Sequence, residues 1–157
     1  MITAVSQGMD NYAYVISNPL SGEAALVDAL ESESLFELEE RLGVKITTIF
    51  NTHHHGDHTG GNSRFMTFAE IIAHKNARQN MLLGSQPGLP RIVFSDETSV
   101  FLGGVEVRAH YMGPGHTNGD AVIYFPDLGV IHTGDLINQR SEEHTFELQS
   151  QFRISYA

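Results

Sequence analysis

The segment Thr52-His53-His54-His55-Gly56-Asp57-His58 holds the densest chemistry in the chain. Histidines at 53, 55 and 58 and a carboxylate at 57 are costly to bury, and a cluster this tight answers to a metal ion rather than to folding. Neutral imidazole and carboxylate suit zinc, and also iron or manganese. Two later motifs join the cluster. Gly113-Pro114-Gly115-His116-Thr117 puts a histidine in a tight loop, and His132-Thr133-Gly134-Asp135 puts a carboxylate just past a strand-like run. Metal and catalytic ligands commonly sit on such loops, held by a rigid sheet. The chain has no cysteine, so thiolate ligands and disulfides are ruled out.

Something must hold these loops together. Alternation and β-forming residues predict strands over 11–17 and 23–28, joined by the turn at 18–22. Leu35, Phe36, Leu38 and Leu42 recur at helical spacing, which predicts an amphipathic helix over 32–42 with a capping serine and Gly43 at its end. A buried strand over 45–50 runs into the histidine cluster, and Gly60-Gly61 follows it. Next come a short helix starting at 62, a strand over 70–74, a helix over 75–83 and a glycine-proline loop over 84–90. Strands are expected at 91–94, 99–102, 105–110, 121–125 and 129–132, with a tight turn at Gly103-Gly104. Strands that alternate with helices early and form hairpins later predict an α/β layered domain with a mixed sheet. His74 and His110 read as structural or exposed. His132 reads as part of its strand and as a candidate to orient a ligating group.

The 157 residues suffice for one domain with a core, and 41% hydrophobic content argues against disorder. A formal net charge of -10 with no basic stripe disfavours nucleic acid as a partner. No apolar run approaches the ~20 residues of a membrane span, and no signal peptide is visible, which points to the cytoplasm. A small-molecule substrate is the expected partner, and oligomeric state is left open.

The three motifs, in this order and spacing, resemble the metallo-β-lactamase fold superfamily, whose signature is His-x-His-x-Asp-His, then a histidine, then an aspartate. The resemblance covers roughly 11–137 and implies an α/β fold, the N-terminal half to two-thirds of an αββα sandwich. It implies two Zn2+ ions, with iron or manganese as alternatives at either site. His53, His55 and His116 would bind the first ion, Asp57 and His58 the second, and Asp135 both. A further histidine from the C-terminal half normally completes the second site, and His54 fills a variable position. Asp10-Asn11-Tyr12-Ala13-Tyr14, Glu23-Ala24-Ala25-Leu26-Val27-Asp28 and the stretch 52–62 are similar to hydroxyacylglutathione hydrolase, the glyoxalase II group.

The chemistry implied is hydrolysis. A zinc-bound water ionises near about pH 7, and two metals about 3.5–4 Å apart can hold the hydroxide and polarise a carbonyl. A thioester or a related ester or amide is the expected substrate, with Asp57 orienting the nucleophile and later accepting a proton. No Gly-x-Ser-x-Gly elbow argues for a serine hydrolase. A rival reading is a persulfide dioxygenase-like oxidoreductase, with one iron on His53, His116 and Asp135. A third is a non-catalytic fragment or binding module.

From Arg140 the sequence changes character. Residues 140–150 read as a translated sequencing adapter, with Phe146 where the adapter gives serine, and 154–157 read as its continuation in the same frame. The expected division is an incomplete metallo-β-lactamase-like domain over 1–139 and a non-native tail over 140–157. His144 lies in that tail and is not counted as a ligand. A domain so shortened is expected to leave apolar surface uncovered and to turn over little itself.

Overall fold

Strand period sets the architecture. Along Asn11–Asn18 (β2), Ala13 and Val15 face one side of the sheet and Tyr14 and Ile16 the other, and all four are buried. A sheet buried on both faces needs a cover on each. Both covers are present in the computed structural model, which describes residues 1–8 and 11–137 and the backbone of Phe152–Arg153.

The first sheet has six strands, in the order β1 (Ile2–Gln7), β2, β3 (Glu23–Val27), β4 (Lys45–Phe50), β5 (Glu70–His74) and β6 (Ile92–Phe94). The first three strands pair antiparallel, and β3 through β6 pair parallel. Parallel neighbours need crossovers. These are α1 (Glu33–Leu42), the short α2 (Gly56–Thr59) and α3 (Asn62–Phe65), and α4 (Lys75–Leu83). The second sheet is antiparallel, in the order β11 (Phe152–Arg153), β10 (Val130–His132), β9 (Val122–Phe125), β8 (Val105–His110) and β7 (Glu97–Leu102).

Two cores follow. One lies between the first sheet and the helices, where Leu35, Leu38 and Phe65 meet Val15, Leu26 and Ile49. The other lies between the sheets, where Val27, Phe50 and Ile72 meet Val107, Ile123 and Phe125. The layers are therefore helix, sheet, sheet, and β3 and β4 end side by side at one rim. No helix among the described residues is long and apolar enough to cross a membrane.

Most expected elements are found within a residue or two. The strand expected at 99–102 begins earlier, at Glu97. β1 was not foreseen: Ile2–Gln7 is half exposed and shows little alternation, and it forms because six residue pairs register it along β2. The capping serine is a correction. Ser32 occupies the cap position of α1 without a side-chain cap bond, and the Glu31 carboxylate accepts the Glu33 N–H at 3.0 Å instead. Gly43 closes α1 as expected, at φ 65 with open space where a Cβ would point. Gly43→Ala should therefore cost about 1–2 kcal/mol through backbone strain alone, read as a lower urea midpoint at unchanged slope. The tail expected at 140–157 lies outside the described residues, apart from the backbone of β11.

Candidate metal centre

β4 delivers the cluster. Its last residue, Phe50, is fully buried between the sheets, and the chain then turns through Asn51 and Thr52 into His53. Asn51 and Asn62 exchange side-chain hydrogen bonds beneath the turn, at 2.8 and 3.3 Å. Gly88 allows the following loop to close over α3, since a Cβ there would lie 2.5 Å from the Ser63 nitrogen.

Asp28, just past the neighbouring end of β3, organises the histidines. It is buried and takes φ 56, an uncommon conformation for a residue with a side chain. Its Oδ1 accepts the Thr52 N–H at 2.8 Å, and its Oδ2 accepts the Thr52 hydroxyl at 2.7 Å. The same Oδ2 lies 3.0 Å from His58 Nδ1, which therefore donates. Because the Thr52 hydroxyl proton goes to Asp28, its oxygen accepts from His53 Nδ1, 3.1 Å away. One carboxylate thus sets the tautomers of His53 and His58 and turns both Nε2 atoms towards the same space.

In that space the ligand atoms converge. His53 Nε2 and His116 Nε2 each lie 3.1 Å from His55 Nδ1. Tetrahedral zinc with Zn–N of about 2.0–2.1 Å puts neighbouring nitrogens about 3.3 Å apart. His116 comes from the loop between β8 and β9, and Asp135 from a 3-10 turn after β10, Gly134–Leu136. The two oxygens of Asp135 serve different partners: Oδ2 lies 3.6 Å from His116 Nε2, and Oδ1 lies 3.5 Å from His58 Nε2. His58 Nε2 is buried without a hydrogen-bond partner among the described residues. Asp57 Oδ2 is 3.5 Å from that nitrogen, and Asn11 Nδ2 donates to it at 3.2 Å.

Electrostatics sorts these groups. Burial, then the neighbouring charge of His58, pushes His53 down to about 4, so its imidazole is neutral and ready to ligate. Burial opposes charge on His58, yet the charge and hydrogen bond of Asp28 outweigh it and lift His58 to about 9. Binding a cation at His58 therefore displaces a proton. Burial raises the carboxyl of Asp57, but His58 and the Asn11 hydrogen bond bring it below the usual carboxylate range.

The donor set fits a metal. Among the described residues, two groups bring their ligand atoms within mutual reach: His53, His55 and His116, and His53, His58 and Asp135. All six candidates named from the sequence gather here, with Asp57 reaching the second group only through His58. His54 belongs to neither group and faces Asn80 at 3.4 Å. His74 is structural: its ring caps α4 and bonds the Ser95 carbonyl at 2.9 Å. His132 is buried at the end of β10, and its Nδ1 accepts the Gly134 N–H at 3.1 Å, one residue before Asp135. Sequence reasoning missed Asp28, Thr52 and Asn11 as organisers. The available signal was an acid ending an apolar strand, where a buried charge needs partners.

A two-sheet sandwich with histidines and carboxylates at one rim defines a metal-site α/β protein. The family model described as "Metallo-beta-lactamase superfamily" matches residues 8–151, and the chain belongs to that superfamily. The hydroxyacylglutathione hydrolase of Gloeobacter violaceus is 35% identical over 128 residues, 82% of this chain and 49% of that protein. That of Maricaulis maris is 34% identical over 130 residues, 82% of this chain and 48% of the relative. The chain therefore spans about half the length of the curated relatives it matches. The metallo-beta-lactamase from Pontibacter korlensis shares the fold, with a TM-score of 0.75, 18% identity and coverage of 90% of this chain and 74% of that one. The BLEG-1 B3 metallo-beta-lactamase aligns with a TM-score of 0.73 and 24% identity, over 89% of this chain and 74% of that one.

Proposed function

We propose that this chain carries the first-half metal ligands of a metal-dependent hydrolase acting on a thioester or a related ester or amide. His53, His55 and His116 would hold one zinc ion, Asp57 and His58 would hold the second, and Asp135 would serve both. The observation that carries the reading is the convergence of His53 Nε2 and His116 Nε2, each 3.1 Å from His55 Nδ1, with Asp135 turning one oxygen towards His116 and the other towards His58. Either a shared proton or a cation satisfies nitrogens at this separation, and the spacing is close to that of neighbouring ligands on tetrahedral zinc.

When bound, the ions supply an acidic water and a Lewis acid for the substrate carbonyl. The chain's own residues do the rest. Asp28 fixes which nitrogens of His53 and His58 face the centre. Asp57 is about half exposed, ionised and held by Asn11 at 3.2 Å, so it can take a proton from a reacting group and pass it to solvent. The thioester class is supported by the curated relatives, named hydroxyacylglutathione hydrolase.

The test has two arms. Elemental analysis of the chain after zinc loading and dialysis should find two zinc ions bound, and the protein of the native gene should cleave an acyl-glutathione thioester. One iron per chain together with oxygen consumption would overturn the hydrolase reading in favour of a mononuclear oxygenase.

A further inference from the structure

Asp120 is almost fully buried four residues beyond His116, and it belongs to neither candidate metal group among the described residues. Its carboxylate closes the loop that carries His116. Oδ2 accepts the Gly115 N–H at 3.2 Å and the Thr117 N–H at 2.8 Å, while Oδ1 accepts the Thr117 hydroxyl at 2.6 Å. The backbone on both sides of His116 is therefore tied to one charged acceptor, and such bonds are stronger than neutral ones. Thr117 passes the restraint on, since its hydroxyl oxygen accepts the Gly119 N–H at 3.1 Å.

The next residue links this loop to the other half of the triad. Ala121 donates its N–H to the carbonyl of Thr52 at 2.6 Å, and Thr52 immediately precedes His53. The far side of the loop rests on α4. A Cβ on Gly119 would lie 2.5 Å from the Ala77 nitrogen, so only glycine allows this approach. Asn76 and Asn80 then donate to the backbone and side-chain oxygens of Asn118, each at 2.7 Å.

We propose that Asp120 is a positioning residue that sets His116 against His53 and His55, and so governs the metal affinity of that triad without touching the metal. The loop is clamped by α4 on the outside, and Asp120 supplies the inside clamp. Removing it frees Gly115 and Thr117 together and leaves His116 to find its place at the expense of binding. The inference rests on the reading of His53, His55 and His116 as a metal triad.

The test compares the wild-type chain with Asp120→Ala and Thr117→Val. Thr117→Val removes only the hydroxyl bonds and keeps the backbone bonds to Asp120. By calorimetric zinc titration, Asp120→Ala should bind about 10–100-fold more weakly at the tighter site, the range for a lost outer partner. Thr117→Val should lose less. In chelator-treated protein, amide exchange across 113–120 should speed up about tenfold in Asp120→Ala, the size of one strong hydrogen bond lost. Folding of both variants is checked by circular dichroism, and if Asp120→Ala does not fold, Thr117→Val decides. Wild-type zinc affinity or unchanged loop exchange in a folded variant would overturn the positioning role. If the wild-type chain itself took up no zinc, the proposed function would fall, while the exchange measurement would still decide whether Asp120 orders the loop.

Discussion

Asp28→Ala is expected to lower the unfolding free energy by about 3–5 kcal/mol, the range for removing one partner of a buried ionic pair. Three donors lose their acceptor at once: the Thr52 amide, the Thr52 hydroxyl and His58 Nδ1. His58 is itself buried and carries its proton because Asp28 faces it, so the substitution leaves either an uncompensated charge or a neutral ring in an unset tautomer. Against a typical total of about 5–15 kcal/mol, this loss is large. One offsetting gain exists, since alanine removes the buried carboxylate's own desolvation cost, but the orphaned donors remain. Urea unfolding of metal-free protein measures the effect. Asp28→Asn should recover part of it, because its amide oxygen can still accept the Thr52 N–H. A loss under about 1 kcal/mol for Asp28→Ala would show that water replaces the carboxylate at no great cost.

The centre and its scaffold were legible to different depths. The six candidate ligands could be read because histidine and aspartate at those spacings are chemically conspicuous, and they converge although 61 positions separate His55 from His116. The strands that deliver them were equally visible, since β2 and β3 alternate or run apolar and β4 leads straight into the cluster. The restraints on the ligands were hidden. Asp28 and Asp120 look like ordinary acids until the fold brings Thr52 and His58 to one and the flanks of His116 to the other. Pairings that depend on distant strand ends leave no local pattern. β1 was missed for a related reason: an edge strand with one half-exposed face needs its partner more than its own sequence. Ser32 shows the converse, where a local motif was present but Glu31 reached the helix end first.

His53→Ala should cost more metal than any other single histidine substitution. His53 is the one residue present in both candidate groups, whereas His55 and His116 appear in the first alone and His58 in the second alone. Its Nε2 lies 3.1 Å from His55 Nδ1 and 3.9 Å from Asp135 Oδ2, and so stands where the two groups meet. Removing a ligand outright should exceed the 10–100-fold penalty of about one to three kcal/mol seen when an outer partner is lost. His53 belongs to the first ion in the two-zinc reading and its Nε2 also stands within reach of the second group, so His53→Ala should retain no zinc after dialysis, while His55→Ala and His58→Ala should each keep one ion. Metal-free stability should fall less than in Asp28→Ala, because alanine at 53 removes a buried imidazole that lies beside charged His58 with ring centroids 4.2 Å apart. Its cost is then the cavity and the lost hydrogen bond to the Thr52 hydroxyl, within about 3 kcal/mol. Elemental analysis and urea unfolding on the same three variants separate the roles. If His53→Ala and His55→Ala kept equal amounts of zinc, His53 would serve the first group only, and the second ion would depend on Asp57, His58 and Asp135 without it.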